Sequence, residues 1–235
     1  VRGIFVTGTG TEVGKTVVAA AIAHTLAASG KKVAVFKPAV TGLDETAADG
    51  PKTGDIDPFE AHRLADHELL RLAAGSAQSD EEIAPYRYGP PASPHLAAEL
   101  AGEEIEPARL LAAAEAAAAS ADVLVCEGVG GLLVPLAPGC LVRDLAVELA
   151  LPLVIAASPS LGTINHTLLT IEAARAAKLD VASVILTPWP TQPSQVEESN
   201  RETIAALGEV EVQTLPPLNL SRPATWPPMG LFPTI

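Results

Sequence analysis

The chain has 235 residues, of which 48% are hydrophobic but only 3% aromatic, and its formal net charge is −13 at pH 7. That charge argues against nucleic acid or an anionic membrane surface as a partner. The length is enough to bury a full core and suits one α/β domain over residues 1–235. With so few aromatics the core must be Ala, Val, Leu and Ile, which suits helices packed on a parallel sheet.

The two cysteines, Cys126 and Cys140, have neither metal-site nor redox spacing and read as reduced, mostly buried thiols. A six-residue apolar start before a glycine-rich loop is too short for a signal peptide. The longest apolar stretches, 17–29 and 107–126, are interrupted by His24 and by Glu115 and Asp122, so no bilayer span is expected. The expected location is cytoplasmic.

Taken from the start, Gly3-Ile4-Phe5-Val6 reads as a strand and residues 17–29 as an Ala-rich helix closed by Gly30. Between them lies Gly8-Thr9-Gly10-Thr11-Glu12-Val13-Gly14-Lys15-Thr16. Strand, glycine-rich loop, Gly-Lys-Thr and helix are the layout of a phosphate-binding P-loop. Glycines let backbone N–H groups converge on phosphate oxygens, and the helix N-terminus adds unpaired donors and partial positive charge. Lys15 reaches the β- and γ-phosphates of a nucleoside triphosphate, and the Thr16 hydroxyl suits Mg²⁺. The strict pattern has a glycine where this chain has Thr9, flanked by Gly8 and Gly10. Residues 10–17, Val13 and Val17 included, are the expected nucleotide cradle.

Further strands are expected at 33–37, 123–126, 153–157 and 181–186. Helices are expected at 57–74, 95–101, 107–120, 141–149, 163–177 and 194–207. Strands alternating with helices predict a three-layer P-loop fold, with a mostly parallel central sheet and helices on both faces. Asp57-Pro58-Phe59-Glu60 supplies the helix start at 57, with Asp at the N-cap and Pro in the first turn. Residues 43–54 read as a surface loop, and 83–94, with Pro85, Pro90, Pro91 and Pro94, as an irregular one. Gly128, Gly130 and Gly131 read as a tight loop after the strand at 123–126. The Pro-rich tail, 216–235, reads as an extended wrap over the body.

P-loop proteins need an acidic residue at the end of a second strand to help place Mg²⁺, and Glu127 sits there. The glycines after it let backbone approach a ligand closely. Lys37 ends another strand, and the C-terminal ends of parallel strands face the ligand crevice. It reads equally as an anion ligand or a solvated end charge; Pro38 and Thr41-Gly42 follow it. Asp55 and Asp57 are further metal candidates, or else a loop charge and a helix cap. His24 and His62 read as structural within helices, and His67 as a surface residue. His95 and His166 stand at helix starts. Residues 160–165 lie between strand and helix, where free N–H groups can take a carboxylate or simply make a turn.

Five stretches together resemble the dethiobiotin synthetase family: residues 6–16, Lys37-Pro38-Ala39-Val40-Thr41-Gly42, Pro91-Ala92-Ser93-Pro94-His95, Glu127-Gly128-Val129-Gly130-Gly131 and Leu161-Gly162-Thr163-Ile164-Asn165-His166. The Thr9 and Glu12 variant of the P-loop is itself a family trait. The resemblance implies a homodimer that joins CO₂ to 7,8-diaminononanoate with ATP, through a carbamate and a carbamic-phosphoric anhydride. It implies Lys15 and Lys37 around the transferring phosphoryl, with Thr11 and Thr41 on the carbamate and amines, and Glu12 and Gly130 beside the diamine. Thr16, Glu127 and an aspartate would hold Mg²⁺, with Asp57 preferred to Asp55. Glu127, Gly128 and Gly130 would border the nucleotide. Leu161, Gly162, Thr163 and Asn165 would take the substrate carboxylate from the neighbouring subunit. Where the family has an asparagine that reads adenine, this chain has Thr187, which lacks the paired donor and acceptor of an amide. Other nucleoside triphosphates are therefore expected to be accepted to some degree.

A ParA/MinD-like ATPase switch is the alternative of another class. Such proteins carry an extra lysine early in the P-loop, and none lies between Gly8 and Gly14 here. Amidoligases of the cobyrinate type share this P-loop style but append a glutaminase domain.

Overall fold

Period-two alternation in the strands decides which side chains go to which layer. In a computed structural model that describes residues 2–44 and 64–230, six strands form one sheet in the order β2-β3-β1-β6-β7-β8. They are β1 (Gly3–Gly8), β2 (Val33–Phe36), β3 (Val123–Gly131), β6 (Leu153–Ala157), β7 (Val181–Leu186) and β8 (Val212–Thr214). Every neighbouring pair is parallel. The remaining two strands, β4 (Pro135–Ala137) and β5 (Cys140–Leu141), make a separate antiparallel hairpin. Neither that hairpin nor β8 is marked by a run long enough to read from sequence.

Ile4 and Val6, Val33 and Val35, Val123 and Val125, and Val154 and Ala156 point to one face. Phe5, Ala34 and Phe36, Leu124 and Cys126, and Leu153, Ile155 and Ala157 point to the other. The first face is covered by α1 (Lys15–Ala28) and α2 (Asp66–Ala74). The second is covered by α4 (Pro94–Ala101), α5 (Pro107–Ala119), α6 (Val142–Leu149), α7 (Thr163–Ala176) and α8 (Gln195–Gly208), while the one-turn α3 (Asp80–Ile83) packs its Ile83 into the core of the first face. The three-layer expectation holds, and the sheet is wholly parallel.

Helix α1 is apolar nearly all round, which is stable only if both its sides are covered. The sheet covers one side. On the other lie α2 and the C-terminal segment, where Trp226 meets the His24 ring edge-on and the Met229 N–H donates to Thr25 Oγ1 at 3.1 Å. The expected wrap of the tail is thus observed for its described residues. No helix among the described residues is long and apolar enough to cross a membrane.

Three expectations need correction. The helix expected to end at 74 starts, in its described part, at Asp66: Leu64 lies outside any helix, and Ala65 is extended. Residues 57–63 of that expectation, and Asp55 and His62, lie outside the described residues. The glycines after Glu127 are not a tight loop, since β3 runs on to Gly131, which pairs with Gly8. His67 is 5% exposed rather than on the surface, because it faces the side of α2 that packs inward.

Candidate nucleotide and metal site

The alternation that builds the core also aims the chemistry. Val33, Val35 and then Lys37 fall on the α1 face, as do Val123, Val125 and then Glu127. Phe36 pairs with Cys126, so the next residues along each strand, Lys37 and Glu127, come side by side at the C-terminal ends. Lys37 Nζ lies 2.5 Å from Glu127 Oε1 and 2.8 Å from Asp66 Oδ2. The Thr16 hydroxyl, in the first turn of α1, donates to the same Glu127 Oε1 at 2.8 Å. Lys37 is 3% exposed and Glu127 0%.

The charges in this cluster set one another. Burial alone would lower the Lys37 pKa, but Glu127 and then Asp66 outweigh it and hold the ammonium above its ordinary value. Burial pushes the Glu127 carboxyl up, against the pull of Lys37 and with the help of the like charge on Asp66. Burial also acts to raise Asp66, but Lys37 and a hydrogen bond from Thr16 bring it below the usual carboxylate range. Lys15 is lowered, chiefly by burial, with Glu127 opposing.

The loop between β1 and α1 forms as the sequence predicts. The Thr9 N–H donates to Ala156 O at 3.1 Å, carrying the chain past the sheet, and Lys15 Nζ folds back onto Gly10 O at 2.6 Å. Gly14 caps α1 at φ 85°, a left-handed conformation, and a Cβ there would sit 2.5 Å from Thr187 Cγ2. Thr187 is buried behind the loop, with its N–H on Ala157 O. Thr11 and Glu12 stand exposed on the rim, and Val13 and Val17 are half-buried, Val17 against the α1-side core. Gly128 lies under Val142 and Phe5, while Gly130 turns at φ 62° beside Val134.

Thr41 belongs to a segment that continues from β2 and is backed by residues 83–90. The Lys37 N–H donates to Ile83 O at 2.8 Å, the Val40 N–H to Tyr86 O at 2.9 Å and the Gly42 N–H to Pro90 O at 3.1 Å. The irregular, Pro-rich stretch is therefore a scaffold for Lys37 and Thr41. Leu161, Gly162, Thr163 and Asn165 lie apart from the cluster at the start of α7. Leu161 is 90% exposed, Gly162 caps the helix at φ 94°, and Thr163 is buried with its hydroxyl near Thr167.

The donor set fits Mg²⁺. Glu127 Oε2 is buried without a hydrogen-bond partner, while Oε1 serves both Thr16 and Lys37. An orphaned carboxylate oxygen beside a threonine hydroxyl and a second carboxylate is what Mg²⁺ takes from protein, with substrate phosphates and water completing its shell. The second carboxylate here is Asp66, a residue the sequence reading missed; Asp55 and Asp57 lie outside the described residues. The signal for Asp66 was present. Ala65-Asp66-His67-Glu68 starts a helix, with Glu68 Oε2 accepting the Ala65 N–H at 2.8 Å, but Asp57-Pro58-Phe59-Glu60 offered a stronger-looking start upstream.

A profile of the AAA domain family matches residues 2–224. The chain is 38% identical over 216 residues to an ATP-dependent dethiobiotin synthetase of Anaeromyxobacter dehalogenans, covering 92% of this chain and 90% of that one. It is 33% identical to the enzyme of the same name from Bacillus subtilis, over 92% of this chain and 87% of the relative. Among solved structures, a chain of the Aquifex aeolicus MinC:MinD cell division protein complex is similar at TM-score 0.57 and 18% identity, over 95% of this chain and 86% of that one. A ParA family ATPase from Chlorobium tepidum follows at TM-score 0.53 and 13% identity, over 95% and 89% of the two chains. At those identities the likeness is one of fold alone, whereas the sequence relatives match along nearly the whole chain. By that measure the chain belongs to the ATP-dependent dethiobiotin synthetase family.

Proposed function

We propose that the chain makes dethiobiotin from 7,8-diaminononanoate, CO₂ and ATP, with release of ADP and phosphate. The observation that carries this reading is the meeting of buried Lys37 and Glu127 with half-buried Thr16 and Asp66 at the strand ends, in a chain of this family. One amine of the substrate adds to CO₂ and loses a proton, giving a carbamate. A carbamate oxygen attacks the γ-phosphorus and ADP leaves. The second amine then attacks the carbonyl carbon of the anhydride, phosphate leaves, and the ring closes.

Each step brings anions together, so the protein's task is positioning and neutralisation. Lys37, held charged by its two carboxylates, faces the carbamate and the transferring phosphoryl. Lys15 approaches the phosphates from the loop side once nucleotide replaces Gly10 O as its partner. Thr11 and Thr41 hydrogen-bond the carbamate and amines, and Glu12 and Gly130 border the diamine. Gly10 to Val17 cradle the phosphates, with Gly128 behind them. Thr16, Asp66 and Glu127 would hold Mg²⁺, which would offset the negative charge of the phosphates.

The exposed turn at Leu161 and Gly162, with Thr163 and Asn165, takes the substrate carboxylate of a neighbouring subunit, so the working unit is a homodimer. The reaction is cytoplasmic. Thr187, packed on Gly14 rather than presenting an amide, leaves the base weakly discriminated.

Phosphate release from Mg·ATP with bicarbonate, with and without 7,8-diaminononanoate, tests the reading, with the ring product followed by mass spectrometry. Product that requires all three substrates is the expected result. Phosphate release indifferent to the diamine would overturn it in favour of a switch ATPase. Running the same assay with CTP and GTP should give turnover within about tenfold of ATP, since one missing amide contact is worth on the order of 1–1.5 kcal/mol; strict ATP dependence would reject the role given to Thr187.

A further inference from the structure

Residue Asn200 lies in the middle of α8, on an element to which the reaction assigns nothing, yet it is 5% exposed and spends its amide on the turn between β6 and α7. Its Nδ2 donates to Pro159 O at 2.9 Å and to Ser160 O at 3.3 Å. We infer that Asn200 is a positioning residue for the substrate carboxylate, acting by fixing which way two peptide units of the turn point. This rests on the proposed function, in which that turn binds the carboxylate.

The argument is one of peptide geometry. A trans peptide is planar, with its C=O and N–H on opposite edges. The units joining Pro159 to Ser160 and Ser160 to Leu161 are trans, and both carbonyls are turned inward to Asn200. Their N–H groups, of Ser160 and Leu161, therefore point away from α8. The Ser160 N–H finds only a long contact of 3.4 Å with Ser158 Oγ. The N–H groups of Leu161 and Gly162 have no partner among the described residues. Next in the chain the Thr163 N–H turns back to Ser160 O at 3.2 Å, and beyond it come the remaining donors of the first turn of α7.

Without Asn200, Pro159 O loses its donor and Ser160 O keeps only the Thr163 N–H at 3.2 Å, so the Pro159–Ser160 peptide is free to flip and the next one is held less firmly. A flipped unit presents a carbonyl oxygen where an N–H stood, and the carboxylate then meets a negative dipole end. The orienting amide comes from α8 because α8 packs on α7 and reaches behind the turn, while the turn's outer side stays open, Leu161 being 90% exposed.

The test uses the full chain and two substrates, 7,8-diaminononanoate and 2,3-diaminononane, in which a methyl group replaces the carboxylate. Wild type should favour the acid in kcat/KM by about 100-fold, the worth of a carboxylate held by several N–H groups. Asn200→Ala should raise KM for the acid by roughly tenfold or more, with kcat within about twofold and KM for ATP unchanged, and should leave 2,3-diaminononane unaffected. Asn200→Asp, which keeps the volume but loses both donated hydrogen bonds, should behave alike and decides the matter if Asn200→Ala fails to fold. Equal losses on both diamines, a shifted KM for ATP, or a wild type that does not distinguish the two substrates would each overturn the inference. Ring product without the expected split rejects Asn200 alone. A wild type that makes no ring product from the acid rejects the proposed function and this inference with it.

Discussion

The two regions that meet substrate under the proposed function, the phosphate end and the carboxylate end, are fixed by different means. At the phosphate end, Lys37 and Glu127 are 3% and 0% exposed, and each is held by charged or hydroxyl partners supplied by β2, β3, α1 and α2. At the far end, the turn before α7 has its most prominent side chain, Leu161, 90% exposed, and is held from behind by one neutral amide. Burying charges is costly, so the first arrangement persists only while every member is present. In return its dipoles and charges are already in place when charge develops on the phosphoryl group. The second arrangement is open to solvent and, under the proposed function, takes a group that does not react. Where bonds change, the fold has invested in rigid charge; where only grip is required, it uses backbone N–H groups and leaves room for a partner.

The strongest way to break that contrast is Lys37→Ala. It removes the cation from the phosphoryl path and leaves Glu127 buried without a counter-charge. Turnover should fall by about 10³-fold or more, and stability by about 3–5 kcal/mol in chemical denaturation. The double variant Lys37→Ala with Glu127→Gln should recover much of the stability and none of the activity. If the single variant unfolds like wild type, the charges at the phosphate end are not what holds it.

Next in size is Asp66→Asn, which keeps the shape of the cluster but removes a carboxylate from beside Thr16 and Lys37. Activity should drop by about 10- to 100-fold, the usual cost of weakening a metal site, and should recover in part as Mg²⁺ is raised. Calorimetric titration of Mg²⁺ in the presence of ADP gives the matching loss of affinity. Asp57→Asn is the comparison: a larger loss there would return the third ligand to Asp57.

How far these two ends can be read without a structure differs as well. Lys37 and Glu127 were legible because a period of two carries the apolar alternation of 33–36 and 123–126 one step further, onto the α1 face. The P-loop was legible because its spacing is set by covalent geometry. Asp66 was not, since two acid-led helix starts lie nine positions apart in the sequence, and that α2, packed on α1, begins at Asp66 is visible only in the fold. His67 was misplaced for the same reason, its side of the helix being unknowable until the start is fixed. The extension of β3 through Gly131 was hidden because glycine disfavours strands by propensity, and here pairing with Gly8 overrides it. Asn200 carries no local signal at all: its partners lie about forty positions earlier in the chain and become neighbours only when α8 folds over α7.

The smallest effect concerns the scaffold behind the phosphate end. Tyr88 receives the Leu43 N–H on its carbonyl and donates its own N–H to Val40 O, tying the segment that carries Thr41. Its phenol donates to Glu103 Oε2 at 3.3 Å, and burial, with the Glu103 charge second, pushes its pKa up to about 12. An unfolded chain ionises the phenol near the ordinary value of about 10. Between those values the unfolded state has released a proton that the folded state retains, so stability falls as pH rises. Wild type should therefore lose stability relative to Tyr88→Phe from about pH 10 upward, by about 1 kcal/mol at pH 11. Urea midpoints of the two proteins between pH 8 and 11 measure it. The backbone ties do not involve the phenol, so turnover at neutral pH should change less than about twofold. A parallel pH course for the two proteins would mean that the phenol is open to water. A large loss of turnover in Tyr88→Phe would mean that the phosphate end depends on its scaffold's side chains as much as on its own charges.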